Sequence, residues 1–121
     1  MSYDLYFWCE KPGASIDIDQ FFDELDEMVE FPGIVSLPLD SVKAAFRQQF
    51  PDISDGGGAL DWEGDGSYFQ VGFTFLDERT VSRTTVFCGY ELLKSQRAMD
   101  RLSSVASSLG YRVYAPQHQD R

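Results

Sequence analysis

In Tyr68-Phe69-Gln70-Val71-Gly72-Phe73-Thr74-Phe75-Leu76, apolar Phe69, Val71, Phe73 and Phe75 fall at every second position, with Tyr68, Gln70, Gly72 and Thr74 between them. Only an extended strand sends alternate side chains to opposite faces, so the segment reads as a strand with one buried face. Its other face is open to solvent or to a partner. Turn formers flank it, Gly64-Asp65-Gly66 before and Asp77-Glu78-Arg79 after. Beyond those turns Ala59-Leu60-Asp61-Trp62 and the run from Val81 to Cys88 read as neighbouring strands of an antiparallel meander.

Tyr3-Asp4-Leu5-Tyr6-Phe7-Trp8-Cys9 reads as an opening strand, closed by Lys11-Pro12-Gly13. Tyr3, Leu5, Phe7 and Cys9 share one of its faces, while Tyr6, Trp8 and Asp4 share the other, which predicts a central strand covered on both sides. From Asp17 the period changes to that of an amphipathic helix: Ile18, Phe21, Phe22, Leu25, Met28 and Val29 recur three and four apart, until Phe31-Pro32-Gly33 ends the run. Asp17 is placed to cap it, with Gln20 as capping-box partner. A second helix is expected from about Asp40 to Phe50, stopped by Pro51. A third is capped by Ser95, buries Ala98, Leu102, Val105, Ala106 and Leu109, and ends at Gly110. Tyr111-Arg112-Val113-Tyr114 makes a last short strand, with a polar tail from about 116.

The expected order is therefore strand, helix, helix, three strands, helix, strand. The expected class is α+β: one mainly antiparallel sheet of about four to five strands, its helices packed on one face. The chain of 121 residues suits one domain, and 43% hydrophobic with 15% aromatic content suits a folded one.

Twenty acidic against 10 basic residues give a formal charge of -10, which repels phosphate backbones and argues against nucleic acid as a partner. Such a charge serves solubility and also suits a basic protein partner. Met1-Ser2-Tyr3-Asp4 lacks the basic start of a signal peptide, and no apolar stretch approaches membrane-spanning length. The expected location is the cytoplasm, with no membrane role. There Cys9 and Cys88, each flanked by apolar strand residues, are expected as buried reduced thiols.

Catalytic patterns are missing. His118, the single histidine, falls in the polar tail, and two distant cysteines match no zinc spacing. Asp61-Trp62-Glu63-Gly64-Asp65-Gly66-Ser67 resembles the first half of an EF-hand loop, but Gly72 stands where a bidentate carboxylate is needed and the flanks are strands. A hairpin turn is the better reading. No enzyme activity, cofactor or metal is expected. A competing possibility is a small-ligand-binding domain or enzyme with an aromatic pocket formed by Tyr6, Trp8, Trp62 and Tyr68; another is a structural or assembly subunit.

Asp19, Asp23, Asp26, Glu27 and Glu30 line the outer side of the first helix with no lysine or arginine between them. That stripe is either a solvated face or an electrostatic docking surface. The acidic hairpin bearing Asp61, Trp62, Glu63 and Asp65 adds an aromatic that either packs in the sheet or anchors a partner.

Ser2-Tyr3-Asp4-Leu5-Tyr6-Phe7-Trp8, Phe87-Cys88-Gly89-Tyr90-Glu91-Leu92-Leu93 and Gly110-Tyr111-Arg112-Val113-Tyr114-Ala115-Pro116-Gln117 together resemble small bacterial immunity proteins encoded beside polymorphic toxins. The resemblance implies a cytoplasmic protein that neutralises its cognate toxin by stoichiometric binding, without turnover. It transfers no interface residues and implies nothing about self-association.

Overall fold

The computed structural model describes residues 2–115; His118 and the tail expected from 116 lie outside the described residues. Chain order is β1 (Ser2–Glu10), α1 (Ile18–Glu24), β2 (Ile34–Val35), β3 (Leu37–Pro38), α2 (Leu39–Gln49), β4 (Ser54–Asp55), β5 (Leu60–Gly64), β6 (Ser67–Asp77), β7 (Thr80–Gly89), a 3-10 turn over Tyr90–Lys94, α3 (Gln96–Leu109) and β8 (Arg112–Tyr114).

The strands form one antiparallel sheet in the order β2-β1-β7-β6-β5-β4, with β3 added on β7 and β8 on β1. Among the described residues eight strands replace the four to five expected. The extra ones, β2, β3 and β4, are two residues long, too short to carry the period-two pattern by which strands are read. The hairpin β6–β7 is the spine of the sheet, paired from Phe69↔Cys88 to Asp77↔Thr80. Tyr6 and Phe7 pair with Thr85 and Thr84 of β7 and also with Tyr114 and Val113 of β8, so β1 has a partner on each edge. Its central position agrees with its doubly apolar pattern.

The main core lies on the face carrying Tyr3, Leu5 and Phe7 of β1, Leu60 and Trp62 of β5, Phe69 and Val71 of β6, and Val86 and Cys88 of β7. Val42, Ala45 and Phe46 of α2, the adjoining Phe50, and Ala98, Leu102, Val105 and Ala106 of α3 cover that face. A second cluster forms behind the sheet, where Trp8, Phe21 and Ile34 are buried together and Tyr6, Phe22, Leu25, Phe31 and Tyr114 pack on them. The helices therefore do not share a face, which corrects the one-sided packing expected. Because Tyr6 and Trp8 alternate with Leu5 and Phe7, covering only one side of β1 would leave two large aromatics in water, and α1 is the element that covers them.

Asp17 caps α1 through a hydrogen bond from Gln20 N–H at 3.1 Å, but the Gln20 side chain turns to Glu24 instead of reaching back. The helix stops after seven residues, as Leu25 turns extended (φ -65, ψ 126). Helical spacing continues to Val29, yet Met28 is 60% and Val29 52% exposed. Competition from β6 explains the early stop. Irregular register on either side of Phe75 frees its backbone, whose N–H donates to Glu27 Oε2 at 2.7 Å and whose carbonyl accepts from Met28 N–H at 2.8 Å.

Candidate functional site: the open half of the outer sheet face

Residues directly opposite on paired strands share a face, so the registers lay out the surface behind the sheet row by row. One row runs Asp4 of β1, Phe87 of β7, Gln70 of β6 and Asp61 of β5. In the next, Tyr68 of β6 stands opposite Glu63 of β5. In the other direction come Tyr6–Thr85–Gly72 and then the pair Arg83–Thr74. The cluster under α1 takes the last two rows and leaves the first two uncovered.

On the covered half, Phe22 meets Tyr6 at 4.8 Å and Tyr114 at 5.3 Å between ring centroids, and Phe21 meets Trp8 at 5.1 Å. Arg83 lies among these rings, its guanidinium 5.4 Å from the Tyr6 centroid and 5.5 Å from that of Phe22. Burial lowers its pKa, with Tyr6 and Glu27 partly offsetting the effect; its Nε is buried without a hydrogen-bond partner. The only cation in these four rows is thus partly buried among aromatics.

The open half is aromatic at its centre and acidic at its rim. Tyr68 is 50% and Phe87 38% exposed. Glycines seat both rings against the backbone: a Cβ on Gly89 would lie 2.8 Å from Tyr68 Cε1, and one on Gly72 would lie 3.2 Å from Phe87 Cε2. Asp61 and Glu63 are exposed on β5, and Asp4 is partly buried beside Phe87. The Tyr6 pKa is raised, first by burial and then by the negative charge of the Asp4 carboxylate. Asp4 Oδ1 itself is buried with no hydrogen-bond partner.

The acidic positions singled out in the sequence are dispersed. Only Asp19 and Asp23 lie on α1; Asp26, Glu27 and Glu30 follow its end, so no single helical stripe forms. Asp26 accepts from Glu27 N–H at 2.8 Å, Glu27 is tied to Phe75, and Glu30 is 3.9 Å from Lys11. Trp62 is 5% exposed in the main core, which removes it as a surface anchor. Its alternation with Asp61 and Glu63 puts those two carboxylates on the open face. Asp65, in the hairpin turn, accepts from Ser95 Oγ at 2.7 Å and so joins that turn to the start of α3. The expected aromatic pocket does not form either, because Trp62 lies on one side of the sheet and Tyr6, Trp8 and Tyr68 on the other. Phe87 and Asp4 are not among the residues singled out by charge or local pattern; alternation carried across three paired strands is the signal that points to them.

Among the described residues no group of three or more His, Cys, Asp or Glu could hold a metal ion, and no helix is long and apolar enough to cross a membrane. No protein-family model matches the chain, nor does any characterised protein or solved structure compared with it.

Proposed function

We propose that this protein is a non-catalytic binding domain that holds a basic protein partner against the open half of its outer sheet face. Two rows carry the proposal, Asp4–Phe87–Gln70–Asp61 and Tyr68–Glu63, in which exposed aromatics are bordered by carboxylates and by no lysine or arginine. Aromatic rings supply contact area at little entropic cost, and the negative rim steers and selects a positive surface. The partner in this reading is a bacterial toxin met in the cytoplasm, as the resemblance to immunity proteins implies, and the mode is one-to-one neutralisation.

Titrating the purified chain into any toxin domain encoded beside its gene tests this. Toxin activity should fall to zero at one equivalent, and the affinity should weaken as salt is raised across physiological ionic strength. Full toxin activity at several equivalents, with no complex by size-exclusion chromatography, would overturn the proposal.

A further inference from the structure

The open face has the makings of a subsite for one kind of side chain. Resting on the binding reading above, we infer that Tyr68 and Phe87 receive an arginine of the partner, with Asp4, Asp61 and Glu63 as acceptors for its guanidinium.

Three observations point there. First, none of the three carboxylates forms an ion pair among the described residues, although Asp55 binds both Lys43 and Arg47 and Glu10 binds Arg112. Second, Asp4 Oδ1 is buried beside Phe87 with no donor, and a buried acceptor left unpaired is costly until one arrives. Third, the fold already uses the pairing elsewhere. Arg83, on the same sheet face, lies over Tyr6 and Phe22, and Arg101 lies 4.1 Å from the centroid of Phe50. Arginine fits better than lysine because its planar group lies flat on a ring while its edge donates to carboxylates.

The probe is a short oligo-arginine peptide titrated into the isotope-labelled chain and followed by amide shifts, with an oligo-citrulline peptide as neutral isostere. Saturable shifts are expected at Asp4, Asp61, Glu63, Tyr68 and Phe87 with oligo-arginine alone. The double variant Tyr68→Leu/Phe87→Leu should weaken binding about tenfold, the loss of one to two modest cation–π contacts. Both side chains are exposed, so the variant should keep its unfolding midpoint; Asp61→Asn/Glu63→Gln supplies a second, ring-preserving variant that should also bind more weakly. Equal shifts with citrulline, shifts centred on Glu24 and Glu30 beside α1, or unchanged affinity in both variants would overturn the inference. If the peptide misses this face while the toxin is still neutralised one to one, the subsite fails and the binding reading stands. If the toxin is not neutralised, that reading fails whatever the peptide does.

Discussion

Trp62 stacks on Phe69 with ring centroids 5.4 Å apart, meets Phe50 edge-on at 5.0 Å, and donates its indole N–H to Asp52 at 3.0 Å. Arg101 completes the cluster, with Nε and Nη2 donating to the Gln49 carbonyl at the end of α2 and the guanidinium over Phe50. This is core packing, and it sets the scale of a mutational test. Trp62→Ala is expected to cost about 3–5 kcal/mol, read as a lowered denaturation midpoint by circular dichroism. Trp62→Phe keeps the ring and loses the bond to Asp52, with an additional expected loss from its smaller volume; it should fall well short of the alanine variant. Phe87→Leu, on the open face, should stay within about 0.5 kcal/mol of the parent, as surface changes usually do. A Trp62→Ala cost as small as that of Phe87→Leu would contradict the placement of the indole in the core. The two residues have similar chemistry and opposite surroundings, and only the phase of alternation on their strands separates them.

At the level of elements, α1 is held by few contacts. It buries Phe21 alone, and the remainder of its attachment is Ile18, Phe22 and Leu25, the Glu27 carboxylate that accepts from Phe75 N–H, and the Met28 N–H that donates to the Phe75 carbonyl. Amides of α1 should therefore exchange with solvent hydrogen through local opening, below the energy that frees β7. Phe21→Ala should speed exchange at 20–25 markedly while protection at Val86 and Cys88 falls less; uniform loss across both would show that α1 unfolds only with the sheet. The same weakness explains which parts were legible in the sequence. Strand β6 and helix α3 are legible because Phe69 and Val71, or Leu102, Val105 and Ala106, all face one core and keep one period. The end of α1 is not legible because Met28 and Val29 keep the helical spacing while the Met28 N–H serves Phe75, and a distant strand leaves no trace in local periodicity. Half of the open face was visible as the polar alternation of β6. The carboxylates of β5 were identified for their charge, but the neighbours that give them a role, Phe87 and Asp4, come from registers that no single segment encodes.

The molecule as a whole carries a charge of -10, and its stability should decline at both ends of the pH scale for separate reasons. Asp55 is held below the ordinary 3.8, first by Gly57 N–H and then by Lys43, and Asp77 is held below it by the N–H of Arg79 and by Thr80. Their contribution is present above the unfolded value of 3.8 and is lost as pH falls through the lower folded values. At the alkaline end the shifts run the other way. Burial pushes the Cys88 thiol up from 9.0 to about 12 and the Tyr111 phenol up from 10.0 to about 12. Below 9.0 both are neutral in either state and their contribution is whole; as pH rises toward 12 the unfolded chain ionises while the folded one resists, so stability drains away across that interval. Unfolding midpoints measured against pH should be level through neutrality and fall above pH 9, each added negative charge also opposing a chain that is already acidic. Burial and then Glu10 raise the Cys9 thiol above 9.0 as well, so Cys88→Ala should make the fall between pH 9 and 10 shallower without abolishing it, although the parent midpoint itself is lowered by the lost volume. If the slope above pH 9 is as steep in that variant as in the parent, ionisation of the Cys88 thiol is not what limits the fold.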